Sequence, residues 1–177
     1  MKKILLIIPL IMAVSCSHDD DLMENPQVQE NKFSSNNGLT QKTPFYASNN
    51  GDLVKTYYSP PGSSVNYTMY YIKFQGYWRH IDSPMTWDGL FADHTFRYEF
   101  PSTQTMVDVT QTSVGAPIYA DNGLLQNPNT GEIFFREGNT LRWIPSMAIF
   151  NQYKFNPSAI IQTTNTGANY THFPDLW

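Results

Sequence analysis

Two arginines, Arg79 and Arg142, hold matching places in two similar stretches of the sequence, residues 75–83 and 138–146. A guanidinium group presents its N–H donors in a planar fork, which suits it to clamp a carboxylate or the hydroxyl groups of a sugar. The alternative is an internal ion pair, or bonds to loop carbonyl groups, that fixes the turn after each strand. Because a repeated residue more often serves the scaffold than a site, the sequence favours this second role.

Aromatic side chains are the second candidate source of binding chemistry. They make up 15% of the sequence, as much as the charged residues do. An exposed ring offers a flat apolar face on which a sugar can stack, whereas packing in a wide core is its ordinary role. Because so many rings cannot all be buried in one small body, the sequence predicts a shallow aromatic patch. The predicted ligand-binding residues are Tyr57, Tyr58, Tyr70, Tyr77, Arg79, His80, Trp87, Arg142 and Trp143.

Acidic residues and histidines are concentrated in the first of the two stretches and just after it. His80, Asp82, Asp88, Asp93 and His94 are metal-type ligands, but the sequence has neither a His-Glu-x-x-His motif nor a cysteine pair, so a solvated polar loop is favoured and no metal site is predicted. Glycoside hydrolysis by a carboxylate pair stays open as an alternative, with Asp82, Asp88 and Glu99 as its candidates. Since the common nucleophile motifs are absent from the sequence, no catalytic residue and no cofactor is predicted.

The two arginine stretches belong to a longer internal similarity that keeps its order along the chain. The matched blocks are residues 50–54 with 122–126, 69–73 with 132–136, 75–83 with 138–146, and 107–112 with 161–166. Chance similarity would not preserve this order, so we interpret it as an internal duplication.

Each copy predicts the same elements in the same order. Strands are expected at about 51–57, 68–74 and 77–82, a helix opened by Ser83, and a last strand at 106–110. The second copy predicts strands at 123–126, 132–136, 140–144 and 160–164, with Ser146 opening its helix. Residues 113–127 are expected to join the copies along an extended path.

A unit of this size barely makes a core of its own, so the two β-rich repeats, each a hairpin plus a short helix, are expected to pack into one α+β body. The predicted divisions are a signal peptide at 1–15, a lipidated flexible tether at 16–44, a first repeat at 45–115 and a second repeat at 116–177.

The start of the chain has the pattern of an export signal. Lys2 and Lys3 precede an apolar run from Ile4 to Val14, and small residues then lead to Cys16, the only cysteine of the sequence. This pattern resembles the lipobox of bacterial lipoproteins. The resemblance implies that residues 1–15 are removed and that a lipid on Cys16 anchors the protein to the outer membrane of the cell envelope, on its inner or outer face.

Two other interpretations fit the leader less well. A membrane-spanning helix needs about 20 apolar residues, and this run is about half that length and contains Pro9. Secretion as a soluble protein is the stronger rival, but a lone unpaired thiol is unusual in an exported chain.

The tether is polar and carries the acidity of the protein. The sequence has a formal net charge of −4, whereas acidic and basic residues are nearly balanced from Asn31 onward. Chain entropy outweighs the little apolar surface that the tether could bury, so we expect it to be flexible. Without a basic patch, nucleic acid is not a predicted partner.

The second copy, from Thr130 through Arg142-Trp143-Ile144-Pro145 to Phe150, resembles a short module found in tandem in bacterial secreted and wall-associated proteins, with the approximate pattern Gly-x-x-Arg-x-Ile-Pro. The first copy fits through Gly76, Arg79 and Ile81 but has Asp82 where the proline is usual. The resemblance implies an accessory module at the cell surface and brings no established activity.

Three functions follow as hypotheses. The leading one is a non-catalytic, surface-tethered lipoprotein that binds a glycan or cell-wall polymer through exposed aromatic residues. The alternative is an accessory or structural subunit of an envelope protein complex. The third is a small hydrolase that uses the carboxylates of the first copy.

Overall fold

The computed structural model describes residues 29–30 and 44–177. The predicted signal peptide, Cys16 and the rest of the predicted tether lie outside the described residues. A short strand β1 (Gln29–Glu30) pairs antiparallel with β2 (Pro44–Phe45), a pairing that the prediction of a flexible tether did not include. None of the helices described is both long enough and apolar enough to cross a membrane.

The first sheet has the strand order β5-β4-β3-β6. An antiparallel meander consists of β3 (Leu53–Tyr58), β4 (Tyr67–Phe74) and β5 (Tyr77–His80), and the helix α1 (Pro84–Leu90) follows it. The chain then returns through β6 (Tyr98–Phe100), which pairs in parallel with β3.

The second sheet repeats this order of elements. Its meander consists of β7 (Gly123–Gln126), β8 (Ile133–Glu137) and β9 (Thr140–Ile144), and the helix α3 (Met147–Gln152) follows. After a 3-10 turn the strand β10 (Ile160–Gln162) returns to pair in parallel with β7. The same sequence of meander, helix and parallel strand therefore occurs in both halves, as a duplication predicts.

A further chain segment runs parallel to the last meander strand of each sheet. In the second sheet this segment is β11 (Thr171–Phe173), which pairs with β9. In the first half, bridges join Val114 to Trp78 and Ile118 to Ile81. Residues 113–118, predicted to begin the connection between the copies, therefore border the first sheet, and Ile118 is fully buried.

Residues 106–110, predicted as the last strand of the first copy, belong instead to the helix α2 (Thr103–Thr110). The prediction is wrong because helix signals decide this segment. Ser102 caps the helix by accepting a hydrogen bond from a first-turn amide, and Met106 and Val109 face inward at helical spacing. The parallel strand of the first half is β6.

Several local predictions are confirmed. The β4–β5 turn consists of Gln75 and Gly76, both with positive φ (52° and 83°), as a tight two-residue hairpin turn of this type requires. Ser83 and Ser146 each accept a hydrogen bond from a first-turn backbone N–H, and so they cap α1 and α3.

The fold is α+β, and its largest apolar cluster draws residues from both sheets. Phe74 of the first sheet lies 4.9 Å, ring centre to ring centre, from Phe135 of the second and 4.7 Å from Tyr153 beyond α3. Trp78 and Leu141, which hold matched places in the two sheets, are fully buried. Because the two sheets share this cluster, residues on their inner faces are brought close together.

Candidate binding cleft between the two sheets

Strand register places both repeated arginines on the faces that bury the core. Neighbouring residues across three paired strands lie on the same face of a sheet. The two rows that contain the arginines are Leu53–Ile72–Arg79 and Leu124–Phe135–Arg142. They also show that Leu53 corresponds to Leu124, so the first matched block of the sequence alignment was one residue out of register.

The two arginines meet on a single carboxylate, that of Glu137. The Arg79 Nη2 atom lies 2.6 Å from Glu137 Oε1, and the Arg142 Nε atom lies 3.2 Å from Glu137 Oε2. Since Arg79 belongs to the first sheet and the other two residues to the second, this ion pair joins the two sheets.

Both arginines also bind backbone carbonyl groups. Arg79 donates to the carbonyl oxygens of Ala116 at 2.5 Å and Pro117 at 2.8 Å, and Arg142 donates to that of Pro174 at 3.1 Å. An internal ion pair and bonds to backbone carbonyl groups are the contacts that the sequence favoured for these arginines, with one correction. The carbonyl groups belong to the segments that run beside β5 and β9, and not to the turns before the helices.

An open cleft of about 460 Å³ lies beside this ion pair. We call it the inter-sheet cleft, and its walls are Phe74, Gln75, Tyr77, Arg79, Gly115, Ala116, Glu137, Thr140, Arg142 and Phe173. Most of these residues hold matched places in the two halves, because Phe74 and Tyr77 flank the β4–β5 turn as Glu137 and Thr140 flank the β8–β9 turn. The cleft therefore forms where equivalent edges of the two sheets face each other.

Flat groups make up much of the cleft wall. Tyr77 is 54% exposed and Phe173 is 44% exposed. The Arg142 guanidinium carbon lies 4.9 Å from the centre of the Phe173 ring, a cation–π contact that holds the ring and the guanidinium together. The wall thus combines apolar ring faces with planar hydrogen-bond donors.

Gly115 allows the segment beside β5 to approach Tyr77. A Cβ atom at position 115 would lie 3.1 Å from the Cβ of Tyr77, which is too close for unstrained contact. The absence of a side chain at this position therefore lets the segment pack directly against Tyr77 at the cleft wall.

Tyr70 and Trp87 do not offer the open ring faces that the patch hypothesis required. Trp87 is only 9% exposed, and its ring stacks with Tyr70 at 5.1 Å and with Phe96 at 5.4 Å. Burial excludes Trp87 from an exposed patch, because the apolar side of α1 packs against β4, and the same contact partly buries Tyr70. His80 is half-buried against Tyr71, and burial lowers the pKa of its imidazole.

The remaining predicted rings lie apart from the cleft. Tyr57 donates a hydrogen bond to Glu99, which also pairs with Lys55 at 2.8 Å. The bond from Lys55 lowers the pKa of Glu99, and the bond to Glu99 raises the pKa of Tyr57. Tyr58, 52% exposed, pairs across the strands with Tyr67.

Trp143 is 37% exposed and lines a separate groove of about 270 Å³ near the start of α3. The predicted rings therefore do not form one patch, and of the predicted ligand-binding residues only Tyr77, Arg79 and Arg142 line the inter-sheet cleft.

The candidate metal and hydrolase residues have separate partners. Asp82 accepts a hydrogen bond from Thr86 at 2.5 Å, the Asp88 carboxylate lies 4.0 Å from His94, and Glu99 pairs as described above. Asp93 pairs with Lys154, whose hydrogen bond lowers the pKa of Asp93. Within the part of the chain that the structure describes, no three His, Cys, Asp or Glu side chains are grouped to hold a metal ion.

Sequence reasoning missed Glu137 and Phe173, which complete the cleft. One signal for Glu137 was present, because the matched position of the first copy is the core residue Phe74. A charged residue at a place that is apolar in the other copy indicates a different environment. Phe173 gave no such signal, since its position depends on the pairing of β11 with β9.

Comparisons with protein-family models, with curated proteins and with solved structures found no match for this chain.

Proposed function

We propose that this protein is a non-catalytic lipoprotein of the cell envelope that binds a glycan in the inter-sheet cleft. The observation that carries the proposal is the composition of the cleft wall. Exposed ring faces of Tyr77 and Phe173 stand beside the guanidinium groups of Arg79 and Arg142 in one concave site.

The size and the chemistry of the cleft support a sugar ligand. Small-molecule sites usually enclose about 300–1,000 Å³, and the cleft measures about 460 Å³. A sugar ring has apolar C–H faces that stack on aromatic rings and hydroxyl groups at its edge that accept hydrogen bonds from planar donors. The wall provides both kinds of surface.

Binding without hydrolysis is favoured by the way the carboxylate is held. Glycoside hydrolysis ordinarily uses two carboxylates about 5–10 Å apart across the scissile bond. Among the described residues that line the cleft, Glu137 is the one acid, and two arginines hold it. This carboxylate is part of the contact between the sheets, and the described cleft wall offers no second acid to work with it.

The proposed location depends on Cys16. Its place after a short apolar run with two lysines is the pattern of a lipid attachment site. An anchor of more than one acyl chain would hold the body firmly at the membrane, because each buried CH2 contributes about 0.8 kcal/mol. Mass spectrometry of the native protein should find the mature chain starting at Cys16 with acyl chains attached. An unmodified Cys16 thiol or an intact leader would exclude the lipoprotein part of the proposal.

The cleft is tested by calorimetric titration of the body with soluble plant, host and bacterial wall oligosaccharides. For the best ligand, Tyr77→Ala and Phe173→Ala should each weaken binding about tenfold, or roughly 1.4 kcal/mol. Tyr58→Ala is the matched control, because Tyr58 is 52% exposed and Tyr77 is 54% exposed. If no glycan binds the native body, the proposed function is wrong. If Tyr58→Ala weakens binding as much as Tyr77→Ala, the glycan site is elsewhere.

A further inference from the structure

We propose that the ligand of the inter-sheet cleft is an acidic glycan whose sugar carboxylate is bound by Arg79 and Arg142. This inference rests on the proposed function and names the class of glycan. It follows from the charge, the free donors and the burial of the two arginines.

The cleft wall has an excess positive charge. Among the described residues that line it, two guanidinium groups face the single carboxylate of Glu137. With one ligand carboxylate the cleft would contain two cations and two anions, whereas a neutral sugar would leave one cation without a counter-charge. A phosphate monoester, with a charge of about −1.5 to −2, would overshoot this balance.

Both arginines keep donors for a ligand. An arginine has five N–H groups, and the bonds to Glu137 and the backbone employ Nε and Nη2 of Arg79 and Nε and Nη1 of Arg142. In the hydrogen bonds among the described residues, Arg79 Nη1 and Arg142 Nη2 donate to nothing. Each arginine that lines the cleft thus retains an NH2 group for an added acceptor.

Burial strengthens the attraction between these arginines and an anion. The side chain of Arg79 is 10% exposed and that of Arg142 is 22% exposed. Charges that are partly removed from water interact more strongly than exposed ones, because the effective dielectric constant is lower and salt screens them less. A carboxylate that enters the cleft therefore gains more than it would on the open surface.

The free donors suit a carboxylate. Its two oxygens can each accept a charge-assisted N–H bond, one from the free NH2 group of Arg79 and one from that of Arg142. In a pyranose uronic acid the carboxylate is attached to the ring, so the sugar can stack on Tyr77 or Phe173 while its acid group reaches an arginine. The ligand class is therefore a polymer or oligosaccharide that contains uronic acids.

The test compares matched ligands that differ only in charge. Trisaccharides of galacturonate, glucuronate and mannuronate are each titrated into the native protein beside their own methyl esters, with dextran sulfate as a non-planar anion. At least one uronate should bind ten or more times tighter than its ester, and this ratio should fall as salt is raised. Dextran sulfate should bind more weakly than that uronate.

Variants then assign the preference to the cleft. Arg142→Gln should weaken binding of the acid more than binding of its ester, and so reduce the preference for acid over ester, because the acid alone loses a counter-charge. Arg142→Lys should lose most of this preference because the planar guanidinium is gone. Arg97→Gln is the control, since Arg97 also lies over a ring, that of Tyr98 at 5.3 Å, but outside the cleft. Circular dichroism checks that each variant is folded. If Arg142→Gln does not fold, the comparison is made with Arg142→Lys instead.

The outcomes separate this inference from the proposed function. If acids and esters bind equally, or neutral glycans bind and uronates do not, the inference is wrong and the glycan function stands. Equal binding of dextran sulfate would replace carboxylate recognition with general anion attraction. If no glycan of any kind binds, the proposed function itself is wrong.

Discussion

Replacing Glu137 by glutamine should weaken the contact between the two sheets, because it removes the carboxylate charge on which Arg79 and Arg142 converge. Removing one partner of a fully buried ion pair costs about 3–5 kcal/mol, and losing an exposed pair costs about 0–1 kcal/mol. The three side chains are between 10% and 22% exposed, and glutamine keeps one acceptor oxygen. We therefore expect a loss of about 2–3 kcal/mol in the free energy of unfolding.

Urea unfolding followed by tryptophan fluorescence measures this loss, with the slope of the transition unchanged if the variant unfolds in the same way. For a folded body of this size the midpoint of thermal unfolding should fall by roughly 6–15 °C. Glu132→Gln is the control, since Glu132 is exposed and its carboxylate contacts Thr130 of the same loop. It should change the free energy by less than about 0.5 kcal/mol.

A double-mutant cycle decides whether the loss comes from the contact between the sheets. Arg79→Gln and Glu137→Gln are compared singly and together, and their coupling energy should be at least about 1 kcal/mol because the residues share one bond network. If Glu137→Gln costs less than about 0.5 kcal/mol, or the coupling is zero, this ion pair does not stabilise the contact between the sheets and the reasoning above is refuted.

Three further predictions concern stability. Gly51→Ala should lower the free energy of unfolding by roughly 3–5 kcal/mol, because φ is +89° and the new Cβ would overlap the carbonyl oxygen of Gln152. Gly131→Ala is the control in the same urea experiment. Its φ is +77° but the space around it is open, so it should lower the free energy by only about 1–2 kcal/mol. Equal costs would mean that the overlap is relieved at no expense. Ser146→Ala should cost about 1 kcal/mol by removing the N-cap of α3, and no change in the unfolding midpoint would contradict this. Burial raises the pKa of Tyr153 to about 12, so the folded state keeps a proton that the unfolded chain releases near pH 10. The stability that this proton contributes is fully present below pH 10 and is lost as pH rises toward 12. Across that window the free energy of unfolding of the native protein should fall by about 1–2 kcal/mol more than that of Tyr153→Phe, and parallel pH profiles would contradict this.

Much of the local structure could be predicted because its causes lie within a few residues. Gln75-Gly76 specifies a tight turn between two strands, and Ser83 and Ser146 specify helix starts through their own side chains. The wrong prediction of a strand at residues 106–110 also concerns a signal that lies within a few residues. The prediction followed the alignment of the two copies, whereas Ser102, an N-cap residue directly before α2, indicates a helix.

The candidate site was predicted only in part. Arg79 and Arg142 were identified because they recur, and Tyr77 because it is one of many rings. Which rings stay exposed was not predictable, since Trp87 and Tyr77 are both aromatic residues with polar residues within two positions. Burial of Trp87 depends on the packing of α1 against β4, and the Tyr77 side chain lies against Gly115 of a distant segment.

The sequence by itself determined the hairpins, two of the helix starts, the α+β class and the equivalence of Arg79 and Arg142. Backbone dihedral preferences, helix capping and the alternation of side chains along a strand act over a few residues, so neighbouring residues determine their outcome. Only the tertiary structure decided that both arginines bind Glu137 and that Phe173 and Tyr77 line one cleft. Those contacts depend on parallel strand pairing and on two sheets sharing one core, where residues distant in the chain become neighbours because burying apolar surface brings the sheets together.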